Sequence, residues 1–221
     1  MFIGHFGVAF AAKRAAPAVS LGTLILACQL ADLIWPTLVL LGVERVSIVP
    51  GITVVTPLFF ESYPYSHSLL MLCVWAGTAA LVYRLARGSA TTAALFVIAG
   101  VVISHWVLDV ATHRADVPLM PGDATKVGLG LWNSLPATLV VEALMLAGGL
   151  VLYLRTTKAR DAIGTYAFWG LVAFLVVVNV ANMFGPPPPS VGAVAWSAQA
   201  IWLLVAWGYW IDRHRVVRGV A

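Results

Sequence analysis

Six windows of this chain, roughly 20–43, 66–86, 91–112, 134–156, 163–184 and 191–212, stay apolar long enough to cross about 30 Å of hydrocarbon at about 1.5 Å per residue. Hydrocarbon offers no partner to backbone N–H and C=O groups, so segments of this kind fold as helices that satisfy themselves. Of the 221 residues 61% are hydrophobic and 10% charged, with mean hydropathy +0.94, which excludes an ordinary soluble domain. The expectation is an all-α, polytopic membrane protein of about six transmembrane helices, forming a single transmembrane domain over 1–221.

The basic residues orient the bundle. Placing the start of the first span in the cytoplasm puts Lys13, Arg14, Arg84, Arg87, Arg155, Lys158, Arg160, Arg213, Arg215 and Arg218 inside, and only Arg45, Arg114 and Lys126 outside. The ends of the bundle then both face the cytoplasm, and the sequence pI near 9.3 reflects anchoring to anionic headgroups. No basic stripe interleaved with aromatics is present, so no nucleic-acid partner is expected. Cys28 and Cys73 both fall in spans without C-x-x-C spacing, which reads as reduced packing cysteines. The apolar part of 1–17 precedes Lys13 and Arg14, the reverse of a cleavable signal, so the N-terminus is expected to be kept.

Met1 to Ala16 is too short to span and too apolar for a free tail, so it reads as a re-entrant or interfacial half-helix. Run back from Lys13 and Arg14, it lifts His5 about 12 to 16 Å into the membrane. In the first span, Q-L-A-D-L-I-W-P places Pro36 four residues after Asp32, which removes a helical bond and predicts a kink at Pro36. The segment 44–65, rich in Pro and aromatics, reads as an outer loop and ends in Y-P-Y-S-H-S, with His67 at the mouth of the second span. Ser66 and Ser68 flank it as hydrogen-bond partners.

The third span carries S-H-W-V-L-D-V-A-T-H. His105, Asp109 and His113 at i, i+4 and i+8 share one helical face. A carboxylate deep in a bilayer costs about 2.5 to 3.5 kcal/mol, so this stripe needs partners, water or a metal ion. At about 1.5 Å per residue Asp32, His105 and Glu142 reach similar depths, about 12 to 15 Å below the outer end. The polar loop 114–134 is expected to fold over the site. Asn179 and Asn182 in the fifth span read as interhelical hydrogen-bonding residues, and Trp196, Trp202, Trp207 and Trp210 as packing and interfacial anchors.

Taken in order, G-H-F-G-V-A-F-A-A-K, L-A-D-L-I-W-P, Y-S-H-S-L-L and S-H-W-V-L-D-V-A-T followed by V-P-L-M-P resemble the bacterial inner-membrane metal-dependent hydrolases, also described as LexA-binding, membrane-associated hydrolases. The resemblance covers about the first 125 residues, leaving 126–221 as helices that complete the bundle. It implies metal-site roles for His5, Asp32, His67, His105 and Asp109. The chain departs from the family pattern where Ile34 and Trp35 replace an acid and a histidine, and where Ser62 and Tyr63 replace a histidine and an arginine. The ligand order is also distantly similar to zinc-dependent phospholipases C, which implies phosphoester chemistry.

The residues together lead to the expectation of a membrane-embedded hydrolase with a divalent metal, zinc or else manganese or iron. In this reading His5, Asp32, His67, His105, Asp109 and His113 form the metal shell, and Glu142 or Glu61 takes the proton. Membrane lipids and a lipid-like substrate are the expected partners. Two competing readings are a metal or proton translocator, which needs a continuous polar path to the cytoplasm, and a catalytically degenerate scaffold.

Overall fold

The computed structural model describes residues 1–219. Helix α1 (Ile3–Ala15) is followed by α2 (Leu21–Cys28) and α3 (Leu30–Leu40), a hairpin of β1 (Arg45–Ile48) and β2 (Leu58–Ser62), the single turn α4 (Pro64–His67), and the long helices α5 (Leu69–Arg87) and α6 (Thr92–Thr112). Two-residue strands β3 (Val117–Pro118) and β4 (Lys126–Val127) precede α7 (Leu135–Thr156). The strand β5 (Thr157–Ala159), α8 (Ala162–Phe184), α9 (Val191–Ala198), α10 (Ile201–Arg213) and β6 (Arg215–Val217) follow. The fold is all-α and polytopic. Helices α5, α6, α7, α8 and the α9–α10 pair are each long and apolar enough to cross a membrane, and α2–α3 adds a sixth crossing with a 53° bend.

The long helices begin where the sequence supplies an oxygen just ahead of an apolar run. Ser68, Thr91, Ser134 and Asp161 each accept the N–H three residues on, satisfying a donor that the first turn leaves open. Many of their large apolar side chains then face outward, as expected of helices bathed in lipid. Leu85, Phe96, Val177 and Leu203 are all more than half exposed.

Helix α1 is the exception, because it is buried on nearly every side. It packs chiefly along α7 and also against α2 and α6, with Phe6 and Phe10 fully enclosed. The close approach depends on two glycines: a β-carbon on Gly7 would press into the Met145 carbonyl, and one on Gly149 into the Gly7 carbonyl. A re-entrant half-helix inside the bundle is the result, and its N-terminus points into the other helices.

The bend in the first span differs from expectation. It lies at Gln29, between α2 and α3, while α3 runs through Pro36 to Leu40. Leu33 N–H still closes on the Gln29 carbonyl at 2.8 Å, but the Cys28 carbonyl accepts His105 Nδ1 at 2.7 Å. A tertiary partner for that carbonyl stabilises the break three residues ahead of Asp32, and Pro36 merely leaves one carbonyl of α3 without its helical bond. The expected outer loop 44–65 likewise contains a β1–β2 hairpin, with Val46 opposite Phe60. Trp35, Val46, Phe60 and Tyr63 form a small second core beneath it.

Candidate metal centre

Four elements deliver the site. The last two turns of α6 carry His105 and Asp109 on one face, with His113 as its C-cap. Asp32 comes from the first turn of α3, His67 from the end of α4 and His5 from the first turns of α1. His67 Nε2 lies 3.4 Å from Asp32 Oδ1 and 3.9 Å from Asp109 Oδ2. His105 Nε2 lies 3.2 Å from Asp109 Oδ2 and 3.8 Å from Asp32 Oδ2. On the other side of the Asp109 carboxylate, His5 Nε2 is 3.2 Å from Oδ1, and the His5 ring stacks on His105 at 3.9 Å. The Met1 amino group and Thr112 Oγ1 complete that side, the amine lying 3.1 Å from Asp109 Oδ1 and 3.2 Å from the threonine.

What surrounds the imidazoles sets their tautomers. His105 Nδ1 faces the Cys28 carbonyl, which can only accept, so Nδ1 carries a proton and the neutral ring keeps its lone pair on Nε2. Ser66 Oγ donates to Glu44 Oε2 at 2.6 Å and therefore accepts from His67 Nδ1 at 2.7 Å, which bares His67 Nε2 in the same way. Glu44 is itself held by the N–H groups of Tyr65 and Ser66 at 2.8 and 2.9 Å. Asp116 Oδ1 takes the Nδ1 proton of His113 at 3.0 Å and the Tyr63 hydroxyl at 3.2 Å. Burial, reinforced by the Asp116 charge, pushes the Tyr63 hydroxyl well above its ordinary value and keeps it a donor.

With both rings neutral, the two Nε2 atoms face the Asp32 and Asp109 oxygens as acceptors, an arrangement that calls for a proton or a metal cation between them. His105 Nε2 is buried and has no hydrogen-bond partner. Acceptors crowded in this way repel unless a cation joins them. Tetrahedral zinc, with bonds of about 2.0 to 2.2 Å, sets its ligand atoms about 3.3 to 3.6 Å apart. The nearer pairs, at 3.2 and 3.4 Å, match that spacing, and the longer ones exceed it by a few tenths of an ångström. Two overlapping triads, His5/His105/Asp109 and Asp32/His67/His105, have donor atoms within 4.8 Å of one another. The residues present could therefore hold a metal ion.

Not every residue singled out from the sequence joins this cluster. Glu142 reaches the same region but caps α1, accepting from Phe2 N–H at 3.3 Å and Ile3 N–H at 2.9 Å. Its carboxylate is engaged by the positive end of a helix, which is a structural role. Glu61 is exposed on β2 and lines a separate small recess with Lys126 and Asp123. His113 stands at the edge, its Nε2 3.8 Å from Asp109 Oδ1 and its ring tilted against Trp132 at 4.2 Å. Asn179 bonds to no other helix: its amide reaches only Met183 Sδ, one turn along α8, at 3.9 Å. Sequence reasoning passed over Glu44, Asp116 and the Cys28 carbonyl. Glu44 was discoverable as an acid ahead of an aromatic, proline-rich loop, but nothing local connects it to His67.

The cluster opens into a cavity of about 870 Å³. Asp32, His67, Asp109, His113 and Glu142 line its polar end; the segment 50–58, Trp132, the C-terminal half of α8, α9 and the start of α10 line much of the rest. In comparisons with known proteins, no family model, no curated protein and no solved structure matches this chain.

Proposed function

We propose that this protein is a membrane-embedded, metal-dependent hydrolase acting on an ester or phosphoester of a lipid-like substrate. We place it in a bacterial inner membrane, with both ends of the bundle cytoplasmic and the cavity opening to the outer side. The observation that carries the proposal is the convergence of the bare His67 and His105 Nε2 atoms with Asp32 and Asp109 at the end of a large cavity. Asp32, His67, His105 and Asp109 would hold the metal, and His5 steadies Asp109 from behind. When bound, such an ion supplies Lewis-acid polarisation and a water whose pKa falls to about 7.

The chain's own groups do the rest. His113, its Nδ1 fixed on Asp116, presents Nε2 toward the polar end of the cavity and is the group placed to take a proton from water and return it to the leaving oxygen. This replaces the sequence-based assignment of that role to Glu142 or Glu61. A translocator would need polar groups continuing toward the Lys13 end. That direction is filled by Phe6, Phe10, Leu24 and Ile98, all essentially inaccessible, which favours an enzyme.

Metal content of detergent-purified protein tests the proposal, with wild type beside His105→Ala and Asp109→Ala. Near-stoichiometric zinc, manganese or iron that both substitutions remove is the expected result, followed by hydrolysis of chromogenic long-chain esters or phosphoesters. A folded wild-type protein that cannot be loaded with any of the three ions would sink it.

A further inference from the structure

The cavity has two chemically different parts, and neither carries a lysine or arginine side chain. Its polar end holds three carboxylates, Asp32, Asp109 and Glu142. The nearby positive charge is the Met1 amino group, already held by Asp109 and Thr112. A helix N-terminus is an anion site by default, but that of α1 is already occupied by the Glu142 carboxylate. A divalent ion on Asp32 and Asp109 would bring the end near neutrality and would be the sole cation there free to meet a phosphate, whose second charge would face the Glu142 carboxylate with no lysine or arginine among the lining residues to offset it.

The second part runs along the outer half of α8 and across α10, past Phe174, Val178, Ile201 and Leu204. From Asn182 to Phe174 it follows α8 for about 12 Å at about 1.5 Å per residue. Along this α8 wall one buried neutral polar group stands out. Asn179 is 4% exposed, lines the cavity, and its amide has only the weak contact with Met183 sulfur. An amide left this way in an apolar wall is costly unless something that can donate or accept meets it.

We propose that the cavity binds a single-chain amphiphile with an uncharged head, its alkyl chain along α8 and α10 and its head oxygen on the Asn179 amide. This takes its reactive end from the hydrolase reading and narrows the substrate to a neutral carboxylic ester, excluding phosphomonoesters. At about 870 Å³ the cavity lies within the range of about 300–1,000 Å³ typical of pockets for one small ligand.

Binding of two non-hydrolysable probes, hexadecylglycerol ether and hexadecyl phosphate, tests this by titration under native mass spectrometry, with metal content read from the same sample. The neutral ether is expected to bind at least ten-fold tighter than the phosphate, and Asn179→Leu to weaken the ether about ten-fold without changing metal content. A diazirine in the ether's chain should label α8 or α10 in the wild-type protein, so the answer does not depend on the variant folding. Equal or tighter binding of the phosphate, an unaffected Asn179→Leu, or labelling elsewhere would overturn the inference. Selective ether binding by protein that takes up no metal would uphold the cavity's preference and overturn the hydrolase reading alone.

Discussion

Two buried polar clusters lie at opposite ends of the bundle, and they are built on opposite principles. At the basic end Lys13 Nζ donates to the Val19 carbonyl at 2.7 Å and to both Asp212 oxygens at 3.3 Å, while Leu21 N–H also meets Asp212. Arg215 donates to the Gly164 carbonyl and Thr157 hydroxyl and lies over the Phe168 ring at 4.9 Å. Each charge there has an opposite charge or an aligned dipole, and the β5–β6 pairing ties the two chain segments together. At the other end acceptors face acceptors and His105 Nε2 has no partner. The charges at the basic end are thus paired within the protein, although the Tyr153 hydroxyl beneath Arg215 is unpartnered among the described residues, whereas the His/Asp cluster could hold a metal ion.

That contrast can be broken most easily at Asp212. Asp212→Leu strands the Lys13 ammonium in the bundle and should lower stability by about 3 kcal/mol or more. Asp32→Asn in chelator-treated protein removes one of two facing carboxylates and should leave the melting temperature unchanged or raised. Thermal unfolding in detergent checks both, and equal losses would mean that the two clusters are equally structural.

A smaller effect is expected one bond behind the metal ligands. Ser66→Ala cuts the link from Glu44 to His67 Nδ1 and should weaken metal binding about 10- to 100-fold, about 1.4 to 2.7 kcal/mol. The metal-free protein should melt as before. Competition with a chromophoric chelator measures the first quantity, and an unchanged affinity would show that His67 is oriented by packing alone.

The smallest effect belongs to an exposed pair at the basic end. His214 Nδ1 lies 2.8 Å from Asp161 Oδ2, and this hydrogen bond, followed by that from Gly164 N–H, holds the Asp161 carboxyl below its ordinary value. A carboxyl depressed in the folded state adds stability above its unfolded pKa near 4 and loses it as pH falls through the lower folded value. The melting difference between wild type and Asp161→Asn should therefore be small at neutral pH and vanish in acid. A difference that grows on acidification would reverse the assignment.

Much of the frame was legible in the sequence because it rests on local rules. Apolar windows mark spans, oxygen-bearing residues mark helix starts, and the i, i+4, i+8 spacing puts His105, Asp109 and His113 on one face wherever a helix forms. That 1–16 forms a short helix and no free tail was legible too, while its burial inside the bundle, beyond a re-entrant or interfacial placement, came from the structure. Two features were not legible in this way, for one reason. Glu142 has the depth and the chemistry of a catalytic acid, but its partners are the first N–H groups of a helix 140 residues away in the chain. Pro36 is a valid kink signal, and the bend formed at Gln29, where His105 offers the Cys28 carbonyl a better partner.

By itself, then, the sequence determined that this chain fills a membrane with helices and carries histidines and acids on them that need partners. Composition and periodicity suffice for that, since each span must satisfy its own backbone and pay separately for every buried charge. Which acid faces the site and which caps a helix was decided only by the tertiary structure. So was the proton on His67 and His105, which sits on Nδ1 because Ser66 and Cys28 approach from other elements. Side-chain roles of this kind depend on distances of about 3 Å between residues far apart in sequence, and no local pattern encodes such a distance.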